Sequence, residues 1–324
     1  MSHSVAVVGL GKVGLLYDLH DQSGETVLTH CRAFSESAEF SLVAGVDPEP
    51  AARRALGDAY SVPAYDSVKR MLEEIRPDIV VVSCPPRHQI PTIRQILTEY
   101  NPKLILCEKP FGIDGVDSNG VVGLARDNGV PLFVNYQRRA DPSLTELRLS
   151  IPDEAEISSL ACVVWYSTDL RGGASHFIDL ITFFFPTFLE DFKNAGERLE
   201  ISGSLDHPTI VSVRAGARSV VLIPWNRSQL NHYSLEIVGD FGRIRYDHDG
   251  LVELQRRVHG GPISLSGTRR RFATSPLHLQ LDVARSIADF LRGSKVNLCT
   301  GARAVEVQAF FDLIESRLGG ESGG

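Results

Sequence analysis

One short stretch near the start of the chain limits its fold more than any other. Ser4-Val5-Ala6-Val7-Val8 is an apolar run suited to a central parallel strand buried on both faces, and Gly9-Leu10-Gly11-Lys12-Val13-Gly14 follows it at once. The spacing is G-x-G-x-x-G, set between a strand and a helix start. In that setting Gly9 permits the tight turn, Gly11 lets a pyrophosphate approach the backbone, and Gly14 lets the helix pack closely on the strand. The amides of Lys12 and Val13 open the helix and face the phosphates. Alone, the pattern also describes an ordinary tight strand-to-helix turn; its flanks favour a dinucleotide site.

A second apolar run, Ser41 to Val46, ends in Asp47. An acid at that place accepts hydrogen bonds from the adenosine ribose hydroxyls, which favours NAD over NADP. Arg53 and Arg54 are expected on an exposed helix face, and Pro48 offers nothing to a 2′-phosphate. The spacing is long, because Asp47 lies 33 residues after Gly14 (47 − 14), against about 20 in the usual fingerprint. The polar, non-periodic stretch from Asp18 to Thr26 therefore reads as a loop insertion beside the site. His30, Ala33 and Phe34 are expected on a resumed helix.

The pattern repeats. Asp66 to Ile75 reads as a helix capped by Asp66. The strand Asp78 to Val82 runs into Ser83-Cys84-Pro85-Pro86-Arg87-His88, where two prolines end the strand and hold an open turn. Ser83 and the Pro85 backbone are placed to meet a cofactor ribose or nicotinamide. His88 opens the next helix, where capping or packing is the plainer reading. A further buried strand, Lys103 to Cys107, leads into Glu108-Lys109-Pro110. A lysine there faces the crevice where open α/β sheets bind ligands. Its ammonium suits a substrate hydroxyl or carbonyl, whereas an isolated tripeptide of this kind would equally describe a surface lysine before a turn.

Four motifs in order, Gly9 to Gly14, Pro85-Pro86-x-His88, Glu108-Lys109-Pro110 and Gly172-Gly173-Ala174-Ser175-His176-Phe177-Ile178-Asp179, make the chain resemble the Gfo/Idh/MocA family of oxidoreductases. The resemblance implies an α/β Rossmann domain followed by an α+β domain with a large open, mainly antiparallel sheet. It implies that Lys109 is catalytic or binds substrate, that Glu108 helps hold the nicotinamide ribose, and that the Lys109-Pro110 bond is cis. Asn135 to Pro142 is similar to the family's segment joining two domains, with Tyr136 and Arg138 facing the site mouth. His176 and Asp179 stand three apart on one helix face. An imidazole can take and return a hydroxyl proton, its ordinary pKa of about 6.5 suiting both directions, and Asp179 supports it. For an isolated His-x-x-Asp, helix packing would be the better reading; the resemblance favours a role for His176. One position departs from the pattern: many relatives carry an aspartate four residues before this histidine, and here it is Gly172. Tyr166 and Asp169, from the preceding strand and loop, are the candidates to substitute.

The rest of the chain bounds these readings. At 324 residues it can hold two substantial cores, expected over 1–142 for the cofactor domain and 143–324 for the substrate and oligomerisation domain. A net charge of −7 argues against a nucleic-acid or anionic-membrane surface. Arg269-Arg270-Arg271 is read as a solvated loop. The five cysteines, Cys31, Cys84, Cys107, Cys162 and Cys299, are too scattered for a zinc site, and no metal is expected. Neither a leader segment nor a membrane helix is legible, which points to a cytoplasmic protein.

Strands are expected from Ser158 to Ser167, Leu199 to Ser204, Thr209 to Ala215, Ser219 to Trp225, Tyr233 to Val238, Arg243 to Tyr246 and Leu251 to Val258, several joined as hairpins. By resemblance their open face makes a homodimer or homotetramer. Val211, Val213, Val221, Leu235, Ile237 and Ile244 would cover either that face or the monomer core. Two helices with apolar periodicity close the chain, the last packing back on the cofactor domain by resemblance, and Gly319 to Gly324 is a polar tail. The function expected is NAD(P)-dependent hydride transfer to or from a sugar, polyol or nucleotide sugar, with NAD preferred. The alternatives are a non-redox cofactor-binding regulator and an NAD-using lyase or hydrolase on the same fold.

Overall fold

The computed structural model describes residues 2–21, 23–113, 115–167, 169–203, 210–225, 231–257 and 267–319. Ser204, Thr209, Val258 and residues 320–324, which carry parts of expected strands and the tail, lie outside the described residues, as does Gln22 of the expected insertion. The chain divides into two units, residues 1–141 with 277–305, and residues 142–276 with 306–324.

In the first unit the apolar runs form parallel strands β1 (His3–Val8), β2 (Phe40–Val46), β3 (Ala64–Tyr65), β4 (Ile79–Val82), β5 (Leu104–Cys107) and β6 (Leu132–Val134). Their order is β3-β2-β1-β4-β5-β6, with Cys299–Thr300 antiparallel beyond β6. This is a doubly wound sheet whose order reverses between β1 and β4, and ligands bind outside the carboxyl ends of the strands at such a switch point. The helices between them are α1 (His30–Glu36), α2 (Pro50–Tyr60), α3 (Val68–Glu74), α4 (Pro86–Glu99) and α5 (Gly115–Asp127).

Strand periodicity decides which side each residue faces. Val5 and Val7, Ile79 and Val81, Leu104 and Leu106 share one core with Cys31, Ala33 and Phe34 of α1. Val283, Ala284, Ile287 and Ala288 from the helix Leu279–Leu291 complete it. That helix was expected in the second domain; its apolar stripe places residues 277–305 in the first unit instead. The cap of α3 also differs from expectation. Ser67, not Asp66, accepts the Arg70 amide, because Ser67 is the extended residue directly before the first turn while Asp66 pairs with Arg70 through its side chain.

The second unit holds a sheet in the order β14-β13-β12-β11-β7-β10-β9-β8, with β7 (Leu160–Tyr166), β8 (Leu199–Ser202), β9 (Val211–Ala215), β10 (Arg218–Pro224), β11 (Ser234–Gly239), β12 (Gly242–Tyr246), β13 (Leu251–Arg256) and β14 (Arg269–Ala273). Only the central β7–β10 pair is parallel among these neighbours. Its helices are α6 (Pro142–Leu149), α7 (Ser175–Phe184) and α8 (Phe188–Lys193); α9 is Leu279–Leu291 of the first unit, and α10 (Gly301–Gly319) runs through the division between Val305 and Glu306. Leu160, Cys162, Val164 and Tyr166 alternate with the more exposed Ala161, Val163 and Trp165. Val211, Val213, Leu235, Ile237 and Ile244 are all fully buried, so of the expected open-face residues these five serve the core, and only Val221 is half-exposed. Phe177 of α7 packs edge-on to Tyr246 at 5.9 Å, and Phe192 of α8 meets Phe310 of α10 at 5.5 Å.

Arg269-Arg270-Arg271 is an edge strand rather than a solvated loop. Its ladder to β13 and ion pairs from Arg269 and Arg271 to Glu253 hold three exposed arginines in extended backbone. Arg270 pairs with Glu146 of α6. Charged side chains on an edge also discourage pairing with another chain. All five cysteines are free.

Candidate functional site

The glycine turn is built by backbone approach. Gly9 has φ +95°, and a Cβ there would stand 2.5 Å from the Cys84 amide nitrogen, so β1 and the turn after β4 abut. A Cβ on Gly14 would overlap the Gly9 carbonyl oxygen. At Gly11 the same construction meets nothing within 4 Å. Positions 9 and 14 therefore lack side chains because the protein fills their space, whereas position 11 borders open space.

Lys12–Leu16 is a wide π-type turn, with the Leu16 and Tyr17 amides bonded to the Gly11 and Lys12 carbonyls at 3.1 and 3.0 Å. The first bond of this turn is made by Leu15 to Gly11 at 2.9 Å, so the amides of Lys12, Val13 and Gly14 precede it. Lys12 is exposed and Val13 half-buried.

Asp47 stands half-buried at the end of β2. Its Oδ2 accepts the Leu10 amide at 2.8 Å and its Oδ1 the Glu49 amide at 2.8 Å. The carboxylate is thus fixed at the rim of the glycine turn. Arg53 differs from expectation: its Nη1 reaches back to the Asp47 and Pro48 carbonyls at 2.7 and 2.8 Å, whereas Arg54 is exposed. Ser83 donates its hydroxyl to the Gly9 carbonyl at 2.6 Å, which staples the β4 turn to the β1 turn. Pro85 is exposed and caps α4. His88 is exposed; its amide bonds the Pro85 carbonyl at 2.8 Å and its Nε2 accepts from Arg87 at 3.0 Å.

Glu108 is buried. Its Oε1 lies 2.8 Å from His30 Nε2 and accepts from Asn135 Nδ2 at 2.6 Å, while Oε2 accepts the Lys109 amide at 3.3 Å. Asn135 Nδ2 also donates to Gln280 Oε1 at 3.0 Å, and Asn135 Oδ1 is buried with no partner. Gln89 donates to the Glu108 carbonyl at 2.9 Å and accepts the Gly112 amide at 2.8 Å. Burial pushes the Glu108 carboxyl upward. Hydrogen bonding and charge from His30, then Asn135 and the Lys109 charge, outweigh it and hold the group below the ordinary carboxylate range. A lowered folded-state pKa contributes stability that is present above the unfolded value and is lost as pH falls through the folded one.

Lys109 follows, half-buried, on a cis bond to Pro110. Gln89 and Gln280 were not singled out by sequence, and His30 and Asn135 were placed only on a helix and in a joining segment, with no role at the site. Their partners are distant along the chain, 78 residues for His30 and 145 for Asn135 to Gln280, and no local pattern announces such contacts.

Two acids organise the expected insertion, Asp21 within it through Ser23 and Thr26 and Asp18 at its start. Asp18 is buried and accepts the Leu28 and Thr29 amides at 2.7 and 3.0 Å and the Thr29 hydroxyl at 2.6 Å. Thr29 in turn caps α1, as the resumed helix requires.

Tyr136 and Arg138 are buried, more enclosed than residues of a mouth would be. Arg138 lies in the 3₁₀ turn Gln137–Ala140.

In the second unit Tyr166 ends β7, and burial, then the Asp169 charge, pushes its phenol up to about 12. Asp169 opens a second π-type turn, Leu170–Ala174, and accepts the Gly172 amide at 2.7 Å. A Cβ on Gly172 would lie 2.6 Å from Asp169 Oδ2, so this carboxylate occupies the space a side chain at 172 would enter. Arg171 is held by Asp312 at 2.6 Å and bidentately by Glu315. His176 is half-buried in the first turn of α7, and Asp179 is fully buried one turn on. Gly172→Ala is expected to displace the Asp169 carboxylate and cost about 1 kcal/mol, the worth of a helix-cap bond. Thermal or urea unfolding checks this, and the loss should vanish in an Asp169→Ala background.

Among the described residues no group of three or more His, Cys, Asp or Glu is placed to hold a metal ion, and no helix is long and apolar enough to cross a membrane.

These features agree with what the chain is similar to. Residues 3–136 match the model of the oxidoreductase family with an NAD-binding Rossmann fold, Gfo/Idh/MocA. The chain is 28% identical over 144 residues to Rhizopine catabolism protein MocA of Rhizobium meliloti, covering 44% of this chain and 40% of that protein. It is 29% identical over 149 residues to Inositol 2-dehydrogenase of Rhizobium meliloti (strain 1021), covering 45% and 43%. Each match thus spans about two fifths of the relative's length. Among solved structures, the WlbA dehydrogenase from Bordetella pertussis, crystallised with NADH and UDP-GlcNAcA, superposes with a TM-score of 0.70 over 98% of this chain and 97% of that one, at 15% identity, which shows a shared fold. The glycine turn and the strand arrangement that carries it thus lie within residues 3–136, the part of the chain that matches the NAD-binding Rossmann-fold model of the Gfo/Idh/MocA oxidoreductases.

Proposed function

We propose that the protein is an NAD-dependent dehydrogenase that moves a hydride between nicotinamide and a hydroxyl-bearing carbon of a sugar, polyol or nucleotide sugar. The observation that carries this reading is the open cradle at Gly11 with the fixed Asp47 carboxylate at its rim. Amides ahead of the first bond of the turn suit a pyrophosphate, and a carboxylate at the end of β2 suits ribose hydroxyls. The carboxylate also disfavours a 2′-phosphate by charge, which supports NAD over NADP.

Bound there, nicotinamide supplies the hydride acceptor or donor. Lys109 binds the oxygen on the reacting carbon and takes or returns its proton. It takes that proton as the neutral amine during oxidation and returns it as the ammonium during reduction, and the ammonium then stabilises negative charge on that oxygen, an effect that grows where water is excluded. The Glu108 carboxylate spends Oε1 on His30 and Asn135, so its service to a ribose would run through Oε2. His176 is proposed, on its motif, as a proton-handling group of the second unit. Tyr166 and Asp169 are proposed to contribute to substrate binding there. Homo-oligomerisation is proposed through the sheet face that carries the half-buried Val163, Trp165, Val221 and Ile223.

The test is to incubate the protein with NAD or NADP and a panel of polyols, hexoses and nucleotide sugars, following the absorbance of reduced nicotinamide. Substrate-dependent reduction, faster with NAD, is expected. Tight NADH binding with no turnover across the panel would favour a regulator, and product without net reduced cofactor would favour a lyase or hydrolase.

A further inference from the structure

We propose that His30 is a positioning residue for Lys109, acting through the Glu108 carboxylate; this rests on the reading of Lys109 as the proton-handling group. The argument is geometric. Lys109 follows Glu108 directly, and its amide is tied to Glu108 Oε2 at 3.3 Å. The other oxygen is gripped by His30 at 2.8 Å and Asn135 at 2.6 Å. Gln89 clamps the same loop from the opposite side, through the Glu108 carbonyl and the Gly112 amide. Every one of these anchors is buried, with His30 itself 1% exposed. A group held on all sides by buried hydrogen bonds cannot drift by an ångström without breaking one, and catalytic groups lose rate steeply with such drift.

Among these anchors, His30 is the one supplied by the segment that follows the glycine turn. It opens α1, and its neighbour Thr29 is fixed by two bonds to Asp18, with a third from the Leu28 amide. The inserted stretch is therefore not a passive loop. Its first residue, Asp18, fixes Thr29, and the next residue, His30, reaches the carboxylate beside Lys109. Asp18 is thereby a second, more remote support for the same lysine.

The experiment compares His30→Leu, which removes the donor, with His30→Gln, whose amide N–H can still reach Glu108. Three quantities are read: kcat and KM for a substrate found in the panel, NADH affinity by fluorescence, and amide hydrogen exchange of the peptide spanning residues 108–112. His30→Leu should lower kcat about 10- to 100-fold with KM and NADH affinity little changed, and should raise exchange in that peptide. His30→Gln should recover most of both. Unchanged kcat and unchanged exchange in folded His30→Leu would overturn the proposal, as would an equal loss in both variants. If the leucine variant does not fold, His30→Asn, polar but too short to reach Glu108, takes its place with the same two outcomes. If the unaltered protein turns over nothing in the panel, the functional reading fails, and the exchange comparison still decides whether His30 fixes the loop.

Discussion

Lys109→Ala is expected to cut turnover by about 10²- to 10⁴-fold, the usual worth of a positioned proton-transfer group, while NADH affinity changes little. The two effects are expected to separate because buried side chains other than Lys109 hold this loop. Gln89 holds the Glu108 carbonyl and the Gly112 amide, and His30 and Asn135 hold the Glu108 carboxylate. Removing the side chain therefore leaves the loop standing and the cradle at Gly11 untouched. Steady-state kinetics paired with a fluorescence titration of NADH would show kcat falling alone. A variant with full turnover would remove Lys109 from the mechanism, and one with no NADH binding would mean that the lysine supports the cofactor instead.

The glycine turn gives the second large effect, and it differs between neighbouring positions. Gly14→Ala places a Cβ on the Gly9 carbonyl. Both groups are backbone-bound, so no rotamer relieves the overlap, and the loss should reach about 3 kcal/mol, the upper end for overpacking. Gly11→Ala places its Cβ in open space. That variant should unfold at the same denaturant concentration as the parent yet bind NADH about tenfold or more weakly, a loss of at least about 1.4 kcal/mol, because the methyl stands where the pyrophosphate approaches. Denaturant unfolding and NADH titration of the two variants form one experiment. If Gly11→Ala keeps full NADH affinity, the cradle is not the cofactor site.

How much of this was legible in the sequence depends on the range of the interaction. Val5 to Val8 of β1 and the whole of β4 and β5 are apolar at every position because both faces are covered, and such runs announce themselves. The hairpins of β11, β12 and β13 are marked by their turns and alternation. β14 is hidden because three arginines in a row read as solvent, and only the ladder to β13 and the acids around it make that stretch a strand.

The site shows the same split. Gly9 and Gly14 are legible because the backbone leaves no room for a side chain there, and Gly11 and Asp47 because their places in the motif mark them. His30 is not, since nothing near it in sequence reveals that its partner is Glu108. Periodicity likewise marks Val283, Ala284 and Ile287 as buried, yet it is silent about which core they enter. Asp169 was read as a substitute for the acid missing at 172. In the structure its carboxylate lies over Gly172; that it serves a substrate is a proposal.

The return of residues 277–305 to the first unit has a consequence for how the chain comes off the ribosome. Residues 1–141 are made first, but the core formed by Val5, Val7, Ile79 and Val81 stays uncovered along one side until Val283 to Ala288 emerge. At about 5–20 residues per second this is a wait of several seconds or more. During it the whole of residues 142–276 is synthesised and is free to fold locally as hairpins. The nascent sheet thus spends its early life with an apolar face exposed. That makes the N-terminal half, rather than the β-rich middle, the segment most in need of chaperone protection during synthesis.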